Sequence, residues 1–245
     1  AQCVSVYPGS KPVSLKEAYS VQNDAIELWP APIGGWKVGR INPPFETEFG
    51  ADRMVGPVFQ PVCHKNSDTV LDMPVFETGF AAVEGEVTAV IAKDVPWDKT
   101  SFTIEDALYF IKSLNFGVEI ASSPFPEIND HGPLVTISDF GNNYGLILGD
   151  EIENWRDMTL EDWVFETIIN GQSVGRASPT GLPGGPVESV RYLLENTSRR
   201  GLPLKAGMCV LTGAVTGVHQ AFVGDTASVT LADQKISISL SAVTV

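Results

Sequence analysis

Residues 80–92 read Phe-Ala-Ala-Val-Glu-Gly-Glu-Val-Thr-Ala-Val-Ile-Ala. The run is apolar and bounded by turn-like sequence, which predicts a strand, and residues two apart on a strand share a face. Glu84 and Glu86 therefore point the same way from an apolar setting. Burying two carboxylates side by side without compensation is very unfavourable, so a neutralising partner is expected, and a divalent cation is the economical one. Farther along, Val118-Glu119-Ile120 repeats the anomaly, an acid flanked by β-branched apolar residues. Three carboxylates on two buried-looking strands form the oxygen-rich, few-ligand set that Mg²⁺ or Mn²⁺ prefers; solvent-facing acids on edge strands are the competing reading.

The rest of the chain supports a globular setting for this group. With 245 residues and 43% hydrophobic composition it can bury a substantial core. Its net charge of −14, from 16 basic and 30 acidic residues, argues against a non-specific nucleic-acid surface, which would be cationic. No stretch approaches 18 consecutive apolar residues, so no transmembrane helix is expected. The opening Ala-Gln-Cys-Val-Ser-Val-Tyr-Pro-Gly has no basic segment leading into an apolar one, so no signal peptide is expected. Cys3, Cys63 and Cys209 are widely spaced and in no paired metal spacing; they read as structural thiols in a reducing compartment, the cytoplasm by default. Dinucleotide-binding, Walker-type, serine-elbow and His-Glu-x-x-His motifs are all absent, which removes support from those chemistries.

In chain order, Ser14–Glu27 opens with a capping-box pattern and predicts a helix. Gly34–Arg40 predicts a short strand carrying Lys37 between Trp36 and Val38, either a desolvated cation near an anionic ligand or a strand lysine reaching solvent. Residues 64–69 read as a polar loop, with a boundary near 65–75 between a small N-terminal part (1–70) and the main part (71–245). Thr103–Lys112 predicts a helix that leads into the strand carrying Glu119. Residues 122–133 read as a Pro-rich loop holding Glu127, Asp130 and His131. Asp139, Asn142 and Asn143 form a tight polar turn of the kind that lines ligand sites. An acidic turn begins at Asp157, Trp163–Ile169 runs into a hairpin at Asn170-Gly171, and Val187–Glu195 predicts a helix. Thr212–Gly217 offers amides and hydroxyls of the kind that hold a carboxylate, and a strand-rich tail runs to Val245.

Taken together, Gly35-Trp-Lys-Val-Gly39, Glu84-x-Glu86, Val118-Glu-Ile120, Asp139 with its Gly-Asn-Asn turn, Asn170-Gly171, Leu204-Lys-Ala-Gly, Leu211-Thr-Gly213 and Gly224-Asp225 resemble the fumarylacetoacetate hydrolase superfamily. The nearest likeness is to its 2-keto-4-pentenoate hydratase and 4-oxalocrotonate decarboxylase branch, in family order from about residue 15 onward. The resemblance implies an α+β fold, with a mixed β-roll core and a smaller N-terminal α/β part. It implies Mg²⁺ or Mn²⁺ held by Glu84, Glu86 and Glu119, Lys37 as the active-site lysine and Asp139 near the substrate. It also implies Thr212 and Gly213 as the binding turn that approaches the substrate carboxylate. A homo-oligomer is expected on the same grounds.

Two departures from the hydratase pattern bear on the reaction. Ile120-Ala-Ser-Ser-Pro124 stands where hydratases commonly carry Ile-Val-Asp-Ser-Arg, so Ser122 replaces an aspartate; Gly56–Gln60 offers no acid where one is expected. The first expectation is a hydratase adding water to a 2-hydroxy-2,4-dienoate to give a 4-hydroxy-2-oxo acid, with Lys37 supporting proton transfer or anion binding. The alternatives are a metal-dependent decarboxylase, a C–C hydrolase of an oxo-diacid or acylpyruvate, or a catalytically altered metal-binding member. Hydrolysis requires a water-activating His–Glu pair, for which His131 with Glu127 is the nearby candidate. The partner in every case is a small anionic acid.

Overall fold

The computed structural model describes residues 3–157 and 159–244. The first two residues of the chain, Met158 inside the expected acidic turn, and Val245 lie outside the described residues. The chain runs α1 (Leu15–Leu28), β1 (Ile33–Arg40), α2 (Phe45–Phe49), β2 (Arg53–Phe59), β3 (Cys63–Lys65), β4 (Leu71–Val75), β5 (Phe80–Ile91), α3 (Ile104–Phe110) and β6 (Ile111–Ser123). It continues through α4 (Pro133–Ser138), β7 (Asn143–Glu151), β8 (Phe165–Ile169), β9 (Gln172–Ala177), α5 (Gly185–Arg199), β10 (Cys209–Ala214), β11 (His219–Gln220), β12 (Thr226–Leu231) and β13 (Gln234–Ala242). No helix among the described residues is long and apolar enough to cross a membrane.

The strands form a mixed α+β architecture whose larger sheet curls into a half-barrel with the order β2-β1-β10-β5-β6-β7-β3, β11 adding against β5. The smaller sheet has the order β4-β13-β12-β8-β9. The sequence-derived boundary near residue 70 falls in the link between β3 and β4, and strands from both sides of it share the larger sheet.

The alternation on the central strands separates core from site. Val83 and Val87 on β5, with Phe116, Val118 and Ile120 on β6, enter the main core. There they meet Val190, Leu193 and Leu194 of α5 and, from the smaller sheet, Phe165, Val229 and Ile236. The even positions of β5 and the odd positions of β6 that carry the glutamates face the other way. Gly85, between the two glutamates, sits on the core face, where an added Cβ would lie 2.8 Å from Val229 Cγ1. The Glu-Gly-Glu spelling thus reconciles two acids on one face with close packing of the two sheets on the other.

Several local expectations change once pairing is visible. Thr103 and Asp106 form the anticipated capping box, but the helix ends at Phe110 and β6 begins at once. Ile111 pairs with Ile91, so β6 follows β5 along its full length, and cross-strand pairing overrides the helical tendency of residues 111–112. The stretch expected to be a polar loop from residue 64 begins inside β3, which pairs in parallel with β7. Helix α5 extends beyond the expected 187–195 at both ends. The Asn170-Gly171 hairpin forms as expected, with positive φ of 50° and 77° joining β8 to β9.

On β2, Gly56 pairs with Lys37 and supports the turn leading into β7: a Cβ there would lie 2.0 Å from the Phe140 carbonyl oxygen, a backbone atom that cannot yield cheaply. Gly56→Ala is therefore expected to lower stability by about 1–3 kcal/mol. Thermal unfolding followed by circular dichroism checks this; an unchanged midpoint would contradict the close approach.

Candidate metal centre and cleft

Neighbouring strands assemble the site in spatial order. Lys37 comes from β1, Thr212 and Gly213 from β10, Glu84 and Glu86 from β5, Glu119 from β6 and Asn143 from β7. Glu84 pairs directly with Glu119 across β5 and β6, while Glu86 faces Gly117, whose missing side chain leaves room for the neighbouring Thr88 hydroxyl. One carboxylate oxygen from each glutamate lies within 4.8 Å of the others, and all three residues are buried. The anticipated grouping of Glu84, Glu86 and Glu119 is thus a geometric fact of the fold.

The hydrogen bonds divide the oxygens of two of these carboxylates into anchored and free. Glu119 Oε1 accepts from Asn143 Nδ2 at 2.8 Å and pairs with Lys37 Nζ at 3.4 Å. Glu86 Oε2 accepts the Gly213 N–H at 2.8 Å. Glu86 Oε1 and Glu119 Oε2 remain buried without a hydrogen-bond partner. Two such orphans in one cluster are costly unless something electropositive meets them.

The charge balance says what that partner must be. At an effective dielectric of about 20, two carboxylates with oxygens no more than 4.8 Å apart repel by roughly 3 kcal/mol or more. Lys37 offsets part of this repulsion, but three carboxylates against one ammonium leave two negative charges, each with a desolvation cost of several kcal/mol. Protons relieve the imbalance without a metal: burial, then the neighbouring Glu119, push Glu84 up to about 8 despite Lys37. Burial, Glu119 and Glu84 push Glu86 well above the ordinary carboxylate range. For Lys37, burial favours the neutral amine, but Glu119, Glu84 and Glu86 together outweigh it and hold the ammonium. An all-oxygen donor set with a net charge of −2 and buried oxygens left without partners fits a hard divalent cation, which Glu84, Glu86 and Glu119 would hold.

The cluster opens into a cleft of about 270 Å³ whose wall includes Lys37, Glu84, Glu86, Asn142, Thr212 and Gly213, with Arg40, Asp52 and Arg53 also exposed to it. Thr212 and Gly213 reach the cleft with their polar groups already in use: the Thr212 hydroxyl donates to the Val87 carbonyl at 2.7 Å, and the Gly213 N–H serves Glu86. Asp139 does not line the cleft. Burial raises its carboxyl pKa against a hydrogen bond with Ser123. The wall is instead formed by Gly141 and Asn142, which follow Asp139 through a left-handed turn with φ of 52° at Phe140, 72° at Gly141 and 63° at Asn142. Asn142 Oδ1 is buried and has no partner.

His131 is not brought to the glutamates. It stacks on Phe125 at 5.1 Å, bonds Lys11 Nζ at 2.8 Å and approaches Glu127 at 3.6 Å. It borders a separate depression with Phe45, Phe49 and Leu134. The Ser122 hydroxyl is committed to the backbone, donating to the Phe80 carbonyl at 2.8 Å and accepting the Phe76 N–H at 3.0 Å. Gln60 is exposed and outside the cleft. Sequence reasoning missed Arg40 and Arg53, which stand opposite each other at the ends of β1 and β2. It named Asn143 only as part of a polar turn; its bond to Glu119 depends on the β6–β7 register, which local spacing does not encode.

No family model matches the chain. It is 24% identical over 204 residues to a 2-keto-4-pentenoate hydratase of Burkholderia vietnamiensis, covering 81% of this chain and 75% of that protein. Its fold is similar to that of 4-oxalocrotonate decarboxylase from Pseudomonas putida G7 complexed with magnesium and adipate, with a TM-score of 0.74 and 20% identity, covering 92% of this chain and 85% of the other. It is also similar to fumarylpyruvate hydrolase from Pseudomonas aeruginosa in complex with Mn²⁺ and pyruvate, with a TM-score of 0.62 and 14% identity over 87% of this chain and 91% of that one.

Two expectations follow from the electrostatics. Because Glu84 must release a proton to act as a ligand, affinity for Mg²⁺ is expected to rise as pH increases toward and through about 8. Calorimetric titration in buffers of different ionisation enthalpy should register proton release at neutral pH; binding that is independent of pH would contradict it. The same raised pKa contributes stability to the metal-free protein that is complete below the ordinary 4.5 and is lost as pH rises through about 8. Glu86→Gln, which removes a buried charge, is therefore expected to raise the metal-free unfolding midpoint at pH 8 while weakening metal binding by about 100-fold or more. A lowered midpoint with intact binding would contradict both parts.

Proposed function

We propose that the chain belongs to the fumarylacetoacetate hydrolase superfamily, in its keto-pentenoate hydratase and 4-oxalocrotonate decarboxylase branch, and that it decarboxylates a small 2-oxo dicarboxylic acid with Mg²⁺ or Mn²⁺ bound. At the coarser level it is a metal-dependent enzyme acting on a small acid of the 2-oxo or 2-hydroxydienoate type. Free thiols at Cys3, Cys63 and Cys209 suit a reducing, cytoplasmic setting.

One observation carries the choice of reaction: the inventory of proton carriers on the cleft wall. Apart from the glutamates and Asp52, which is tied to Arg53, Lys37 is the proton-carrying group able to serve carbon among the described cleft residues. Arginine does not give up its proton in this range. Adding water to a dienoate calls for one group that draws a proton from water and another that protonates the chain. Decarboxylation calls for a single donor.

The bond between the chain and the departing carboxylate breaks, CO₂ leaves, and the electron pair passes through the conjugated carbons to the C2 oxygen. Lys37, held as an ammonium by the glutamates, then delivers a proton to carbon. A divalent cation, when bound, supplies Lewis-acid stabilisation of the enolate charge. Asn143 and the Gly213 N–H keep Glu119 and Glu86 oriented, and the buried Asn142 amide offers a polar contact on the cleft wall.

Hydration, first on the sequence alone, is the second reading, favoured by the identity with the Burkholderia hydratase. Hydrolysis is disfavoured because His131 and Glu127 lie away from the cleft. The test is turnover with Mg²⁺ of 4-oxalocrotonate, followed as CO₂ release, beside 2-hydroxypenta-2,4-dienoate. CO₂ release is expected, and Lys37→Met should reduce it by about 100-fold or more with metal binding retained. Turnover of the dienoate alone would overturn decarboxylation in favour of hydration.

A further inference from the structure

Arg40 and Arg53 form a cross-strand pair, the last residue of β1 directly opposite the first of β2, and both border the cleft that holds Lys37 and the glutamates. Like charges directly opposite on a sheet destabilise it unless an anion lies between them. The protein supplies one counter-charge: Arg53, buried at 5% exposure, donates to the Asp52 carboxylate and to the Pro183 carbonyl. Asp52 also borders the cleft, and its charge is spent on Arg53. Arg40 is left over. Its guanidinium has no hydrogen-bond or ion-pair partner among the described residues, and the residue is exposed at the mouth of the cleft.

We propose that Arg40, held at the cleft by the β1–β2 pairing and backed by Arg53, captures the second carboxylate of the substrate and makes the enzyme selective for dicarboxylic over monocarboxylic 2-oxo acids. The inference rests on the oxo-diacid reading above and adds the residue that would read the diacid. A guanidinium is the fitting group, since its planar donors match a carboxylate in a way an ammonium does not. The protein as a whole carries −14, so a dianion approaching it is repelled except where a local cation inverts the field. As the captured carboxylate becomes CO₂ its charge disappears, so this contact belongs to binding and selectivity and Arg40 acts before the chemistry.

Two ligands of equal length separate this from the underlying function: 2-oxoadipate and 2-oxohexanoate, which differ only in the distal carboxylate. Their affinities for the Mg²⁺-loaded full-length chain are read by calorimetry or tryptophan fluorescence. Wild type is expected to bind 2-oxoadipate about 10- to 100-fold more tightly. Arg40→Leu should erase the preference by weakening 2-oxoadipate alone, and Arg40→Lys should keep part of it. Equal affinities in wild type, a preference that survives Arg40→Leu, or equal weakening of both ligands would each overturn the assignment while leaving 2-oxo acid binding intact. If Mg²⁺ binds but neither acid does, the proposed function itself fails and this assignment falls with it.

Discussion

The structure depends on an unbalanced charge: three carboxylates on adjacent strands, buried, with one ammonium among them. Left ionised and without a cation, this group would oppose folding, and the raised pKa values of Glu84 and Glu86 are the metal-free protein's response. The opposing stabilisation comes from the other faces of the same strands. Val83, Val87, Phe116, Val118 and Ile120 are all essentially inaccessible to solvent and belong to one continuous core with α5 and the smaller sheet. Burying each such side chain is worth about 1.5–3 kcal/mol. The strand period of two lets one segment carry both the cost and its compensation, and Gly85 lets the two sheets approach where that segment needs it.

Placing the ligands on strands rather than loops also fixes their geometry. Each contributing strand hydrogen-bonds to the next, so the relative positions of Lys37, Gly213, Glu86, Glu119 and Asn143 are set by sheet register. Supporting bonds then select which oxygen of each carboxylate is available. Gly213 and Asn143 occupy one oxygen of Glu86 and of Glu119, and the remaining oxygens are buried without a hydrogen-bond partner. This is the arrangement a precise site requires: functional atoms locked by rigid elements and by a second layer of hydrogen bonds.

What could be read from the chain follows the range of the forces involved. Glu84 and Glu86 were legible because two acids in an apolar strand violate a local rule, and Glu119 because it repeats the violation. The Asn170-Gly171 hairpin and the Thr103 capping box were legible because their chemistry is complete within four residues. The long β6 was not, since residues 111–117 become strand by pairing with β5. Arg40 and Arg53 are separated by a loop and become neighbours only through antiparallel pairing. His131 is the opposite case: an imidazole in a polar loop invites a catalytic reading, and the fold sets it among Phe125, Lys11 and Glu127 rather than beside the glutamates.

The metal centre therefore says less about the reaction than its surroundings do. Carboxylates that hold a divalent cation serve any chemistry passing through an enolate, whether water adds, CO₂ leaves or a carbon–carbon bond is hydrolysed. The discrimination has to come from groups that handle protons and from groups that recognise the far end of the substrate. On the proposed reading the first set reduces to Lys37, because Ser122 is tied to backbone atoms and Gln60 lies outside the cleft. The second set is cationic, although the protein as a whole is strongly acidic. A single proton donor suits loss of CO₂ better than addition of water, and an uncompensated guanidinium suits a second carboxylate better than an alkyl terminus. Both features lie on β1 and β2, so the strand pair that secures Lys37 beside the glutamates also sets what can be bound beyond them.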